Sequence, residues 1–146
     1  MHKDFSIWTF LVCFCSVLFN SGIAEAKDQH QVFDPISVYV SITNFHPSEP
    51  VRCQFVLAHF VTYDPPILSS GETLVTSISL EQDSSTLFLV HTDKPMAIED
   101  LFCALDSDWS DTRLELSLTP LQNAAKTHLA FLCGIELQFS CLPEDV

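Results

Sequence analysis

From Ile36 onward the apolar residues of this chain recur at every second position. Ile36, Val38, Val40 and Ile42 alternate with Ser37, Tyr39, Ser41 and Thr43. Successive side chains of a strand point to opposite faces, so this spacing predicts a half-buried strand. The same period returns in Val51–Val61, where Cys53, Phe55 and Leu57 share a face, and in Thr73–Glu81, Thr86–His91, Ile98–Leu105 and Arg113–Leu118. It is longest near the end, where Leu129, Phe131, Cys133, Ile135, Leu137, Phe139 and Cys141 all fall on odd positions and read as one continuous strand. Turn-forming stretches separate these runs: NFHPSEP, TYDPPILSSG, EQDSS, TDKP and TPLQNAAK. No helical stripe competes. The best helical candidate, Pro95–Leu105, ends in β-favouring residues and is kept as strand. About seven short strands with turn signals every 8–12 residues predict an all-β domain, a single antiparallel β-sandwich of Ig-like architecture. The chain has only 3 glycines, which disfavours a barrel that needs many glycine kinks. A true immunoglobulin domain would carry a tryptophan between its paired cysteines, whereas Trp109 follows Cys103.

The N-terminus predicts export. A short polar start with Lys3 precedes an apolar run from Phe5 to Phe19, and Ala24 and Ala26 form an A-x-A pattern. That order is the order of a secretory signal peptide. The run is about 22 Å long as a helix, shorter than the ~20 residues that a membrane span requires. The expected organisation is a signal peptide over 1–26, a polar lead-in over 27–35, the β-sandwich over 36–142 and an acidic tail over 143–146. Cleavage removes Lys3, Asp4 and Glu25, so a net charge of −13 becomes −12. Such a surface repels polyanions, so nucleic acid and anionic lipid are poor partners. No second apolar run is long enough to span a bilayer, so no stable membrane insertion is expected once the signal is gone. The expected location is secreted or periplasmic. The absence of any Asn-x-Ser/Thr sequon favours a bacterial periplasm over a glycosylating route.

Four cysteines remain after residue 26: Cys53, Cys103, Cys133 and Cys141. An even number in an exported chain reads as two disulfides. No C-x-x-C occurs, so neither thioredoxin-type exchange nor the usual zinc-knuckle spacing is supported. On one continuous strand, Cys133 and Cys141 would lie about 26 Å apart, too far to bridge without a sharp bend, for instance at Gly134. That disfavours one pairing and leaves the other two open.

The carboxylate cluster Asp106-x-Asp108-x-x-Asp111 raises a metal reading. A helix-loop-helix calcium loop needs glycine at position 6 and glutamate at position 12, and here those positions hold Asp111 and Ser117. A looser calcium loop on a β-sandwich would use Asp106, Asp108 and Asp111, with Glu99 and Asp100 nearby; otherwise these are turn residues bonded to local backbone. His59 and His91 fall in predicted strands and could meet across a sheet to hold copper or zinc, although no H-x-H or H-x-x-x-H spacing occurs. No nucleophile motif or phosphate-binding glycine loop appears, so an enzyme is not expected and no catalytic residue or resident cofactor is assigned. Trp109, Tyr39 and Tyr63 could form an exposed aromatic patch that binds a ligand or protein.

The segments VYVSITN, Cys53, GETLVTSISL and LFCALDSDW are similar in spacing to plant S-protein homologues, small secreted β-sandwich proteins. The similarity covers about half of the mature chain. It departs where Cys103 follows Phe102 directly and where the closing cysteines sit 8 apart. The resemblance implies a secreted signalling ligand. That fits the function expected from the residues themselves, a non-catalytic, exported, acidic and disulfide-stabilised binding module that recognises a protein partner, the alternative being a periplasmic or secreted β-sandwich protein that binds calcium or, second to it, copper or zinc.

Overall fold

Alternation sorts the chain as the sequence predicts, but the sheet it builds differs in three places. A computed structural model describes residues 35–135 and 138–144, which belong to one unit, residues 32–146. The expected signal peptide lies outside the described residues. The strands are β1 (Ile36–Asn44), β2 (Val51–Leu57), β3 (Val61–Tyr63), β4 (Thr73–Glu81), β5 (Thr86–His91), β6 (Lys94–Leu105), β7 (Leu114–Glu115), β8 (His128–Ile135) and β9 (Phe139–Pro143). Two four-residue helices, α1 (Trp109–Thr112) and α2 (Thr119–Gln122), fill connections that carried no helical pattern.

All nine strands of the described residues belong to one mixed sheet, ordered β3-β2-β6-β5-β4-β1-β8-β9, with β7 beside β6. The sheet is open, with β3 and β9 at its ends. β1 lies antiparallel to β4 and parallel to β8, so the sheet is not wholly antiparallel as the sequence suggested. The long strand β6 holds two sections together. Its Lys94–Ala97 stretch pairs with β5 and its Ile98–Leu105 stretch with β2. Three strands separate β6 from β8, a path of about 19 Å at ~4.8 Å per strand. Yet the sulfur of Cys103 on β6 lies within 4.8 Å of the sulfur of Cys133 on β8. The sheet therefore curls back on itself. One buried cluster fills the fold, drawing Val38, Val40 and Ile42 from β1, Phe55 and Leu57 from β2, and Leu101 and Cys103 from β6. Each such side chain contributes about 1.5–3 kcal/mol through its removal from water.

Two expected strands are hairpins. Val51–Val61 breaks at a turn over Ala58–Phe60, and β3 returns along β2 with Leu57 opposite Val61. The odd-position run 129–141 likewise breaks after Ile135, and β9 returns along β8 with Ile135 opposite Phe139. In both cases an odd residue pairs with an odd residue. The alternation therefore passes through the turn unbroken and conceals it. The bend lies beyond Gly134, which is itself paired with Ser140. The 26 Å separation of a straight strand collapses, and Cys133 faces Cys141.

Two disulfides result among the described residues, Cys53–Cys103 and Cys133–Cys141. Each links residues directly opposite on neighbouring antiparallel strands. The pairing that the straight-strand argument disfavoured is the one formed.

Asn44 continues the inward face of β1 with a polar side chain and has no exposed surface. Its Nδ2 donates to the carbonyls of Glu49 and Leu68 at 2.9 Å each, and its Oδ1 accepts from the His46 N–H at 2.8 Å. His46 Nδ1 in turn accepts from the backbone N–H groups of Ser48 and Glu49. Buried polar groups are tolerated when bonded in this way. The pair fixes the path from β1 to β2, which turn composition alone left undefined.

Candidate functional site

The outer face of β2, β6 and β7 collects both arginines of the chain. In the Asp100–Leu105 stretch of β6 the even-numbered residues point away from the core, because Leu101, Cys103 and Leu105 fill it. Arg52 lies opposite Ala104 across the β2–β6 pair, and Gln54 lies opposite Phe102. On the other side of β6, Phe102 pairs with Glu115 and Cys103 with Leu114. Arg113, one residue before Leu114, extends that register beside Ala104. The two arginines thus flank Ala104 from adjacent strands, about 10 Å apart by strand spacing. Ala104 points outward yet has no exposed surface, so side chains of this face close over it.

Each guanidinium lies over a ring. Arg52 Cζ is 4.6 Å from the centroid of Trp109, and Arg113 Cζ is 4.9 Å from that of Phe102. A cation within ~6 Å of a ring face is attracted by the ring quadrupole, for about 0.5–1 kcal/mol near the surface. Among the described residues neither arginine is paired with a carboxylate. Gln54 Nε2 donates to Asp64 Oδ1 at 2.8 Å and closes one margin of the face.

The segment after β6 positions Trp109. Asp106 N–H donates to the carbonyl of Pro50 at 2.9 Å, and Ser107 Oγ donates to Glu49 Oε2 at 3.1 Å. Thr112 Oγ1 donates to the Asp108 carbonyl at 2.6 Å and accepts from the Leu105 N–H at 3.0 Å. These bonds wind Asp106–Asp108 into a 3-10 turn that runs into α1 and lays the indole over Arg52. Asp106 and Asp108 belong to the 3-10 turn and Asp111 to α1.

The predicted site residues separate into distinct settings. Asp106, Asp108 and Asp111 do not converge: among the described residues, the group of three ligand-type side chains with donor atoms within 4.8 Å of one another is Cys103, Cys133 and Cys141. Glu99 and Asp100 line a shallow pocket of about 100 Å³ with Glu115 and Gln122, apart from those three aspartates. Tyr39 is exposed on the outer face of β1, beside His128 of β8. Tyr63 turns inward, 6.1 Å from the Phe55 ring and 5.9 Å from the His91 ring. Only Trp109 of the three aromatics lies on the arginine face. His59 sits in the turn between β2 and β3 with a left-handed φ of 64°, outside any ligand cluster with His91.

Reading the sequence missed Arg52, Phe102 and Arg113. The signal was present: Arg52 and Phe102 occupy outward positions of their strands. What one sequence lacks is the register that sets β7 beside β6. Comparison with protein-family models, curated proteins and solved structures returns no match.

Proposed function

We propose that the chain is a non-catalytic, exported binding module that recognises a protein partner through the outer face of β2, β6 and β7. The single observation that carries this reading is the stacking of both arginines on aromatic rings on one face of an otherwise acidic chain. Tryptophan and arginine dominate the energetics of protein interfaces. A planar guanidinium held against a ring is already ordered, and it keeps N–H donors free for a carboxylate. The partner presents acidic side chains to Arg52 and Arg113 and apolar surface to Trp109.

The curled sheet forms two layers of Ig-like sandwich architecture, hinged on β6. The contact between Cys103 and Cys133 supports it, as does the single core fed from both sections. The two disulfides support an oxidising compartment, since such bonds persist in secreted and periplasmic proteins. Together with the N-terminal apolar run, they support a secreted or periplasmic location.

Arginine-selective labelling tests the binding face. With extract from the native compartment present, phenylglyoxal modification of Arg52 and Arg113 falls well below that in buffer. Modification of Lys94 and Lys126 by an amine reagent stays unchanged. Equal arginine labelling with and without extract rejects the reading.

A further inference from the structure

The sulfurs of Cys103, Cys133 and Cys141 all lie within 4.8 Å of one another. Cys53 is bonded to Cys103 and so adjoins this group, which brings the two disulfides side by side. The four cysteines come from four strands, β2 and β6 in one section of the sheet and β8 and β9 in the other. Cys53, Cys103 and Cys133 have at most 1% of their surface exposed, while Cys141 is half-buried. No short motif announces this arrangement; only the curl of the sheet assembles it.

We propose that the reduced chain, before its disulfides form, holds one soft d10 ion, zinc(II) or copper(I), between these four thiolates. A tetrahedral zinc–thiolate site has Zn–S distances of about 2.3 Å, which places its sulfurs about 3.8 Å apart. In the oxidised protein the Cys103 sulfur lies within 4.8 Å of both sulfurs of the Cys133–Cys141 bond, so three ligands are already gathered within reach of one ion. When both disulfides are absent, the sulfurs of each pair separate to van der Waals distance, and Cys53 becomes the fourth ligand. Binding is an exchange of protons for metal: each ligating thiol loses its proton to solvent as its sulfur donates a pair to the ion, with no electron transfer. The half-buried Cys141 gives the ion a route in from solvent. The aliphatic surroundings, Val40, Ile42 and Leu101, keep water from competing for the metal. Metal and disulfides exclude each other because they use the same sulfurs. The ion therefore holds the sheet sections together in the newly made chain and delays oxidation.

The test uses the full chain, reduced with a trialkylphosphine in the absence of air. Each disulfide and one water consume one phosphine, giving two thiols and the phosphine oxide. Cobalt(II) serves as a coloured stand-in for zinc. The expected result is one ion per chain, with sulfur-to-cobalt charge-transfer absorption that zinc displaces stoichiometrically. Cys133→Ser weakens binding at least tenfold, and zinc slows reoxidation at least tenfold. Cys13→Ser/Cys15→Ser in the N-terminal segment changes neither. No charge-transfer band, a stoichiometry other than one, or binding indifferent to Cys133→Ser overturns the proposal. Because Cys133→Ser can also weaken the reduced fold, circular dichroism is recorded before and after metal. A chain that remains unfolded with one equivalent of zinc overturns it equally. Arginine labelling of the oxidised protein is independent of every one of these outcomes.

Discussion

The guanidinium of Arg52 on β2 lies 4.6 Å from the ring centroid of Trp109 on α1, joining a strand to the loop that sequence reading singled out for its aspartates. The only other tryptophan is Trp8, so in a chain without residues 1–26 Trp109 reports this contact alone. Arg52→Ala is expected to increase acrylamide quenching of Trp109 and to lower stability by about 0.5–1 kcal/mol. Arg52→Lys retains part of the effect, because lysine is a cation without the planar fork. Unchanged quenching in Arg52→Ala contradicts the stacking.

The polar latch below β1 makes a larger prediction. Asn44 is fully buried with three hydrogen bonds. Asn44→Ala removes them and leaves the Glu49 and Leu68 carbonyls without this donor. At ~1 kcal/mol per bond, plus the cost of unsatisfied buried groups, the loss is about 3 kcal/mol. Asn44→Asp, of the same shape, loses both donors and is expected to be at least as damaging. Urea denaturation of both variants measures this, and a loss below ~1 kcal/mol contradicts the latch.

The disulfides should differ in worth. Cys53–Cys103 closes a separation of 50 residues and Cys133–Cys141 one of 8. Loop-closure entropy assigns about 4 kcal/mol to the first and about 2.5 kcal/mol to the second. Paired Cys→Ala variants are compared by chemical denaturation. The pair 53/103 is expected to lose more, and the reverse order contradicts the entropic account.

A tighter constraint sits at Gly134. A Cβ there would lie 3.2 Å from the Phe45 carbonyl carbon and 3.3 Å from the His46 nitrogen, both backbone. Phe45 N–H also donates to the Cys133 carbonyl at 2.6 Å, which prevents the segment from backing away. Gly134→Ala is expected to cost about 1–3 kcal/mol, as overpacking does. A thermal melt matching that of the parent chain contradicts this close approach.

The sequence shows the class of fold more clearly than its closure. Thr73–Glu81 and Thr86–His91 match β4 and β5 end to end, because polar turns bound them and each has one buried face. The β5–β6 turn is equally local. Thr92 and Asp93 take φ values of 48° and 65°, the two positive angles of a tight hairpin turn. Where the prediction fails, alternation persists through a turn, as between Leu57 and Val61 or between Ile135 and Phe139. The site follows the same division. Trp109 is visible as an isolated aromatic in a polar loop. Its partner Arg52 lies 57 positions away and meets it only because Asp106 N–H is tied to the Pro50 carbonyl. The approach of Cys103 to Cys133 and Cys141 depends on the curl of the whole sheet, which no local spacing encodes.

The most direct measurement is capture from the native compartment by immobilised oxidised chain, in three forms run side by side: parent, Arg52→Ala/Arg113→Ala and Tyr39→Ala. The account predicts that one protein is recovered reproducibly by the parent chain and by Tyr39→Ala, and is lost with the double arginine variant although that variant melts cooperatively. Equal recovery by the double variant, or no reproducible protein with the parent chain, contradicts it.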